Sequence, residues 1–133
     1  MKSIAFYNNK GGVGKTTSAI NIAYELAKNS KVLIIDVDGQ ANCSRFFTEE
    51  LKEGLDKALV NTEVSPETAL CHTRYDNIDI ITATQKLNGI TSEFDSFTDE
   101  EQAAIARNIL SFGSAYDYVL LDLPPALTKV TER

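Results

Sequence analysis

Apolar residues gather in four runs of strand length, Ser3–Tyr7, Lys31–Val37, Ile78–Ala83 and Tyr118–Leu123, separated by stretches where they recur at helical spacing. Val32-Leu33-Ile34-Ile35 and Val119-Leu120-Leu121 are continuous rather than alternating, the pattern of strands covered on both faces. Thr16–Lys28 reads as a helix: Ala19, Ile22, Ala23, Leu26 and Ala27 share one face, and Asn29-Ser30 closes it. Asp99–Phe112 reads as another, with Thr98 and Glu101 as a capping box and Gly113 as the stop. The middle is less regular. Glu49–Leu59 is predicted helical on Leu51, Leu55, Ala58 and Leu59, and Ser65-Pro66 opens a short helix through Leu70. Thr84–Phe97 is a long, partly helical connection. Strands alternating with helices predict an α/β fold with a mostly parallel sheet.

The junction between the first strand and the first helix carries the chemistry. Asn9-Lys10-Gly11-Gly12-Val13-Gly14-Lys15-Thr16-Thr17 has the glycines and the Lys-Thr pair of a phosphate-binding loop, in the strand–loop–helix setting such a loop requires. Glycine lets backbone N–H groups approach phosphate oxygens closely, and the helix start adds unpaired donors and partial positive charge. Lys15 is placed to reach the β- and γ-phosphates, and the Thr16 hydroxyl to ligate Mg²⁺. Residues Gly11 to Thr17 form the expected phosphate cradle.

Three carboxylates end apolar strands. Asp36 and Asp38 follow the second run and Asp122 follows the fourth. Two-residue spacing sends Asp36 and Asp38 to one side while the strand lasts. In open α/β sheets, ligands bind beyond the carboxyl ends of the strands, which is where all three would meet the phosphate loop. A single strand-ending aspartate is commonly a turn or cap residue; three with a phosphate loop point to a metal-nucleotide site.

Lys10 at the start of the loop, with Asn9 where the ordinary box has glycine, makes Lys-Gly-Gly-Val-Gly-Lys-Thr-Thr resemble the deviant Walker A box of the ParA/MinD family of ATPases. Asp36-Val37-Asp38-Gly39-Gln40-Ala41-Asn42 is similar to that family's switch I, with Gly39 in place of the usual proline. Tyr116-Asp117-Tyr118-Val119-Leu120-Leu121-Asp122-Leu123-Pro124-Pro125 is similar to its Walker B segment and the entry to switch II. The resemblance implies a three-layer P-loop fold, ATP and Mg²⁺ as ligands, Thr16, Asp36 and Asp122 around the metal, and Asp38 orienting the attacking water. It also implies that Lys10 crosses to the nucleotide of a second subunit in an ATP-dependent homodimer. Such a cycle positions plasmids, chromosomes or division machinery with a partner partition protein. The family domain continues beyond Walker B, so residues 1–133 are expected to form one partial domain, the N-terminal half. The adenine pocket and the DNA-binding surface would come from the remainder. The family's sheet places the phosphate-loop strand near its middle, so the other strands present here should all lie to one side of Ser3–Tyr7. Two other readings stand beside this one. A nucleotide-binding interaction module could keep the motifs without turnover. An iron protein of the nitrogenase type shares the Lys-Gly-Gly box but needs cysteines flanking Walker B, and both cysteines here precede Asp122.

Composition narrows the partners. The chain has 133 residues, 43% of them hydrophobic, and a formal net charge of −6. Such a chain has material for one core, and its scattered basic residues make it a poor non-specific DNA binder. Cys43 and Cys71 form no CxxC pair, the N-terminus lacks a signal-peptide core, and no stretch reaches membrane-spanning length; a reduced, cytoplasmic protein is expected. Cys43 is expected to be a small buried residue, His72 a surface residue rather than half a metal site with Cys71, and Phe46-Phe47 core.

Overall fold

The computed structural model describes residues 2–6, 13–37, 42–48, 55, 69–83 and 97–122. In chain order the elements are β1 (Lys2–Phe6), α1 (Val13–Leu26), β2 (Val32–Asp36), α2 (Asn42–Phe47), β3 (Leu70–His72), β4 (Ile78–Ile81), α3 (Asp99–Ser111) and β5 (Tyr118–Asp122). They form a sheet of order β1-β5-β2-β4-β3. The β1–β5, β5–β2 and β2–β4 pairs are parallel, and the short β3 runs antiparallel to β4. The described sheet therefore ends at β1, with every other described strand to one side of it, as the family resemblance implies.

The continuous apolar runs do cover both faces. Odd-numbered residues Leu33, Ile35, Val119 and Leu121 pack with Ile105 of α3 on one face. Even-numbered residues Val32, Ile34 and Leu120 pack with Ala23 of α1 and Cys43 and Phe47 of α2 on the other. Period-two alternation in a strand makes this division, and it builds three layers from one five-residue run in each central strand. Burying Leu33, Ile34 and Ile35 fully removes them from water at a gain of about 1.5–3 kcal/mol each.

Helix α1 approaches the sheet on alanines. Ala19, Ala23 and Ala27 recur every fourth residue and are buried, so the helix backbone lies close to the strands. Ile22, placed on the same face by its spacing, is instead 37% exposed, because three alanines already make the contact stripe narrow. Helix α3 starts where the capping box predicts: Glu101 N–H donates to Thr98 Oγ1 and Thr98 N–H to Glu101 Oε1, both at 3.1 Å.

Two expectations need correction. The short helix running through Leu70 does not extend that far: Ala69 is a 3-10 residue and Leu70 opens β3, its backbone committed to pairing with Ile81. Tertiary pairing with β4 overrides the local helix signal. Phe46 is 43% exposed, and only its neighbour Phe47 joins the core. Of the predicted helix Glu49–Leu59, the described residues include Leu55, which is helical and buried; the rest, with the 84–96 part of the Thr84–Phe97 connection, lies outside them.

Candidate functional site

The three strands nearest the sheet's β1 end stop in register. Phe6 of β1 is the partner of Asp122 of β5, which is in turn the partner of Asp36 of β2. The strands are parallel, so these are all carboxyl ends, and the chain leaves β1 there to enter α1 at Val13. Val13, Gly14, Lys15 and Thr16 make up the first turn of that helix, and Thr17 follows. No acidic side chain stands in that turn. Its unpaired N–H groups and the positive end of the helix dipole therefore meet no protein anion from their own helix. Lys10, Gly11, Gly12 and Asp38 lie outside the described residues.

Asp36 and Asp122 are both buried. A buried carboxylate is costly unless hydrogen bonds or an opposite charge compensate it. For Asp36 the compensation is α2. Ser44 gives its backbone N–H (2.9 Å) and its hydroxyl (2.6 Å) to Asp36 Oδ2. The Ser44 Oγ also accepts the N–H of Ala83, at 2.9 Å, just beyond β4. One buried hydroxyl thus joins the ends of β2 and β4 to α2. Beside it, Val37 N–H donates to the Asp122 carbonyl at 2.9 Å, carrying the β2–β5 contact one residue further. Ser44 did not stand out in the sequence. The available signal was a serine beside Cys43, Phe46 and Phe47, on the first helix after a strand-ending aspartate.

Adjacent strands hold Asp36 and Asp122 with their Cα atoms roughly 5 Å apart. Two buried like charges at that spacing favour a cation between or beside them. The donors here are carboxylate oxygens. Hard oxygen donors of this kind suit Mg²⁺ held together with substrate phosphates. The residues present fit that ion.

The cysteines and the histidine sit elsewhere. Cys43 and Cys71 are not joined in a disulfide, and both are buried in the α1–α2 face of the core. His72 is exposed, with Nδ1 2.7 Å from Asp79 Oδ1. Asp79 Oδ2 in turn accepts the Tyr116 hydroxyl at 2.6 Å. Among the described residues no group of three His, Cys, Asp or Glu side chains is arranged around a metal position, and no helix is long and apolar enough to cross a membrane.

A strand–loop–helix start beside two buried strand-end aspartates, in a mostly parallel three-layer sheet, defines a P-loop nucleotide-binding fold. An AAA-domain family model matches residues 1–133, and the chain belongs to that family, within its ParA/MinD-like P-loop ATPases. It is 36% identical over 132 residues to the chromosome-partitioning ATPase Soj of Thermus thermophilus, covering 98% of this chain and 49% of that protein. It is 33% identical over 134 residues to the sporulation initiation inhibitor protein Soj of Bacillus subtilis, covering 98% and 52%. Among solved structures, apo McdA from Cyanothece superposes with a TM-score of 0.79 at 27% identity, over 98% of this chain and 52% of that one. Cobyrinic acid a,c-diamide synthase from Mycobacterium smegmatis, with bound ATP analogue and magnesium, superposes with a TM-score of 0.79 at 26% identity, over 98% and 54%. The chain spans about half the length of the curated relatives it matches.

Proposed function

We infer that this chain carries the phosphate- and metal-binding part of a partition-type ATPase, which binds ATP with Mg²⁺, dimerises on doing so and positions DNA or other cargo through a partner protein. The observation that carries the reading is the register of Phe6, Asp122 and Asp36 at the carboxyl ends of β1, β5 and β2, beside the start of α1. Likeness to Soj proteins supports the partition role, and the neighbour crystallised with an ATP analogue and magnesium supports the ligands.

In this reading the N–H groups of residues 11–17 and the Lys15 ammonium hold the phosphates, while Thr16, Asp36 and Asp122 hold the metal. Bound Mg²⁺ would offset charge on the phosphate oxygens. Ser44 keeps Asp36 oriented at the strand end. Asp38 would hold the attacking water, and Lys10 would reach the nucleotide of the second subunit. Contacts with DNA would come from sequence other than this acidic stretch.

The test is equilibrium binding of a fluorescent ATP analogue with and without Mg²⁺. The chain should bind with Mg²⁺ dependence, Lys15→Ala should weaken binding more than about 100-fold, and Asp122→Asn should remove most of the Mg²⁺ dependence. The weakening corresponds to loss of charge-assisted phosphate contacts together worth roughly 3 kcal/mol. Binding indifferent to both substitutions would overturn the assignment of the site.

A further inference from the structure

Ser44 is the third residue of α2 and is fully buried, like Asp36 and Ala83 on either side of it. Each of its polar atoms is committed. The backbone N–H, which in the first turn has no acceptor within its own helix, donates to Asp36 Oδ2 at 2.9 Å. The hydroxyl donates to the same oxygen at 2.6 Å. Ser44 Oγ accepts the Ala83 N–H at 2.9 Å, and the Ser44 carbonyl accepts the Thr48 N–H, also at 2.9 Å. A hydroxyl has a single proton to give. With Ala83 donating to Oγ, that proton goes to Asp36, and turning it elsewhere would lose a charge-assisted bond.

Both bonds from Ser44 fall on one carboxylate oxygen. Such an oxygen has about two lone-pair sites, so Ser44 alone fills Asp36 Oδ2. A cation that used both oxygens of Asp36 would have to displace the Ser44 hydroxyl. The sheet resists that displacement. Ile81, two residues before Ala83, is the partner of Ile35, one residue before Asp36. The triangle of Asp36, Ser44 and Ala83 is therefore closed through the β2–β4 pairing, and no corner of it moves alone.

Divalent cations differ in what they ask of a carboxylate. Ca²⁺ takes about six to eight oxygens in a flexible set and often both from one carboxylate. Mg²⁺ is smaller and demands a near-octahedral set, whose edges are too long for the two oxygens of one carboxylate to span. We propose that Ser44 sets the metal preference of this site: by holding Asp36 Oδ2 with two hydrogen bonds it confines the carboxylate to one-oxygen ligation, which suits Mg²⁺ and disfavours Ca²⁺. This role rests on the metal reading of Asp36 given above. Ser44 acts through Asp36 and is a positioning residue. The loss of a merely structural serine would weaken both metal complexes by the same factor.

The test compares the affinity of the chain for a fluorescent ATP analogue in saturating Mg²⁺, in saturating Ca²⁺ and in EDTA. The unsubstituted chain should bind the Mg²⁺ complex about tenfold more tightly than the Ca²⁺ complex. Ser44→Ala should bring the two within about twofold, and Ser44→Thr, which keeps the hydroxyl, should retain the tenfold preference. Ser44→Cys keeps most of the side-chain volume but has only a weak S–H donor. It should narrow the preference as alanine does, and it carries the test if the alanine variant unfolds. Asp36→Asn reads the underlying site and should remove most of the affinity that Mg²⁺ adds over EDTA. If Asp36→Asn leaves that gain intact, the metal reading falls and the role of Ser44 with it. If Asp36→Asn removes the gain while the unsubstituted chain shows no preference, or the alanine and cysteine variants keep it or weaken both complexes equally, the metal reading stands and the role of Ser44 alone is overturned.

Discussion

The two ends of the sheet solve opposite problems with the same strands. At the carboxyl ends the chain buries charge: Asp36 and Asp122 lie inside, with Ser44 bonded to Asp36 and Ala83. At the amino ends it exposes apolar rings, and its polar groups do local work in turns. Lys31 N–H meets Asp117 Oδ2 at 2.9 Å, and Asn77 Nδ2 caps the Ala27 carbonyl at 3.0 Å. The first end spends stability to hold polar groups where a ligand can use them; the second is fixed mainly by backbone geometry and tolerates solvent. The difference teaches that a buried hydroxyl between two carboxyl ends is worth more to this fold than a ring on its surface.

The sharpest way to break this contrast is Ser44→Ala. It removes the hydroxyl donor to Asp36 Oδ2, which keeps the Ser44 backbone N–H, and it takes the acceptor from the buried Ala83 N–H; an orphaned buried polar group costs about 1–3 kcal/mol. We expect a loss of about 2–3 kcal/mol in urea unfolding; a change under about 0.5 kcal/mol would mean water replaces the hydroxyl without penalty.

At the other end, Asn77 holds φ at 68°, in the left-handed region, while its side chain caps α1. Asn77→Ala should cost about 1–2 kcal/mol, through the left-handed backbone and the lost bond. Asn77→Gly keeps the backbone accessible and loses the bond, so it should cost less in the same unfolding experiment. The opposite order would remove backbone strain as the cause.

The capping box of α3 gives a smaller effect. Thr98→Ala should cost about 1 kcal/mol, and adding Glu101→Ala should cost less than the two single losses summed, because the bonds are reciprocal. Additive losses in a double-mutant cycle would show two independent caps.

The smallest effect is a pH dependence. Burial first, then the hydrogen bond and charge of Asp79, hold the Tyr116 hydroxyl above its ordinary value near 10. The unfolded chain releases that proton at lower pH than the folded one. The contribution of Tyr116 is therefore fully present below pH 10 and declines as pH rises through and beyond that value. Tyr116→Phe should flatten the stability curve above pH 10, measured as the denaturation midpoint against pH; an unchanged slope would place the alkaline transition elsewhere.

Much of this molecule was legible in one dimension. The strands centred on Val32–Ile35 and Val119–Leu121 and the helix starting after Thr98 rest on simple rules: continuous apolar runs and a capping box. The capping box is satisfied within three residues, and the continuous apolar runs survive because any neighbouring strand and either covering layer can bury them. Three things were decided only by tertiary structure. Leu70 became a strand because β4 offered it a pairing edge. Ile22 stayed in solvent because the alanine stripe had already set how close α1 could lie. Ser44 became the partner of Asp36 because eight residues of chain fold back onto the strand end, and no periodicity encodes which hydroxyl will be buried against which carboxylate. Local sequence fixes a residue's dihedral preference and its side of an element; which buried polar groups meet depends on how the layers close, and that is a property of the whole packed chain.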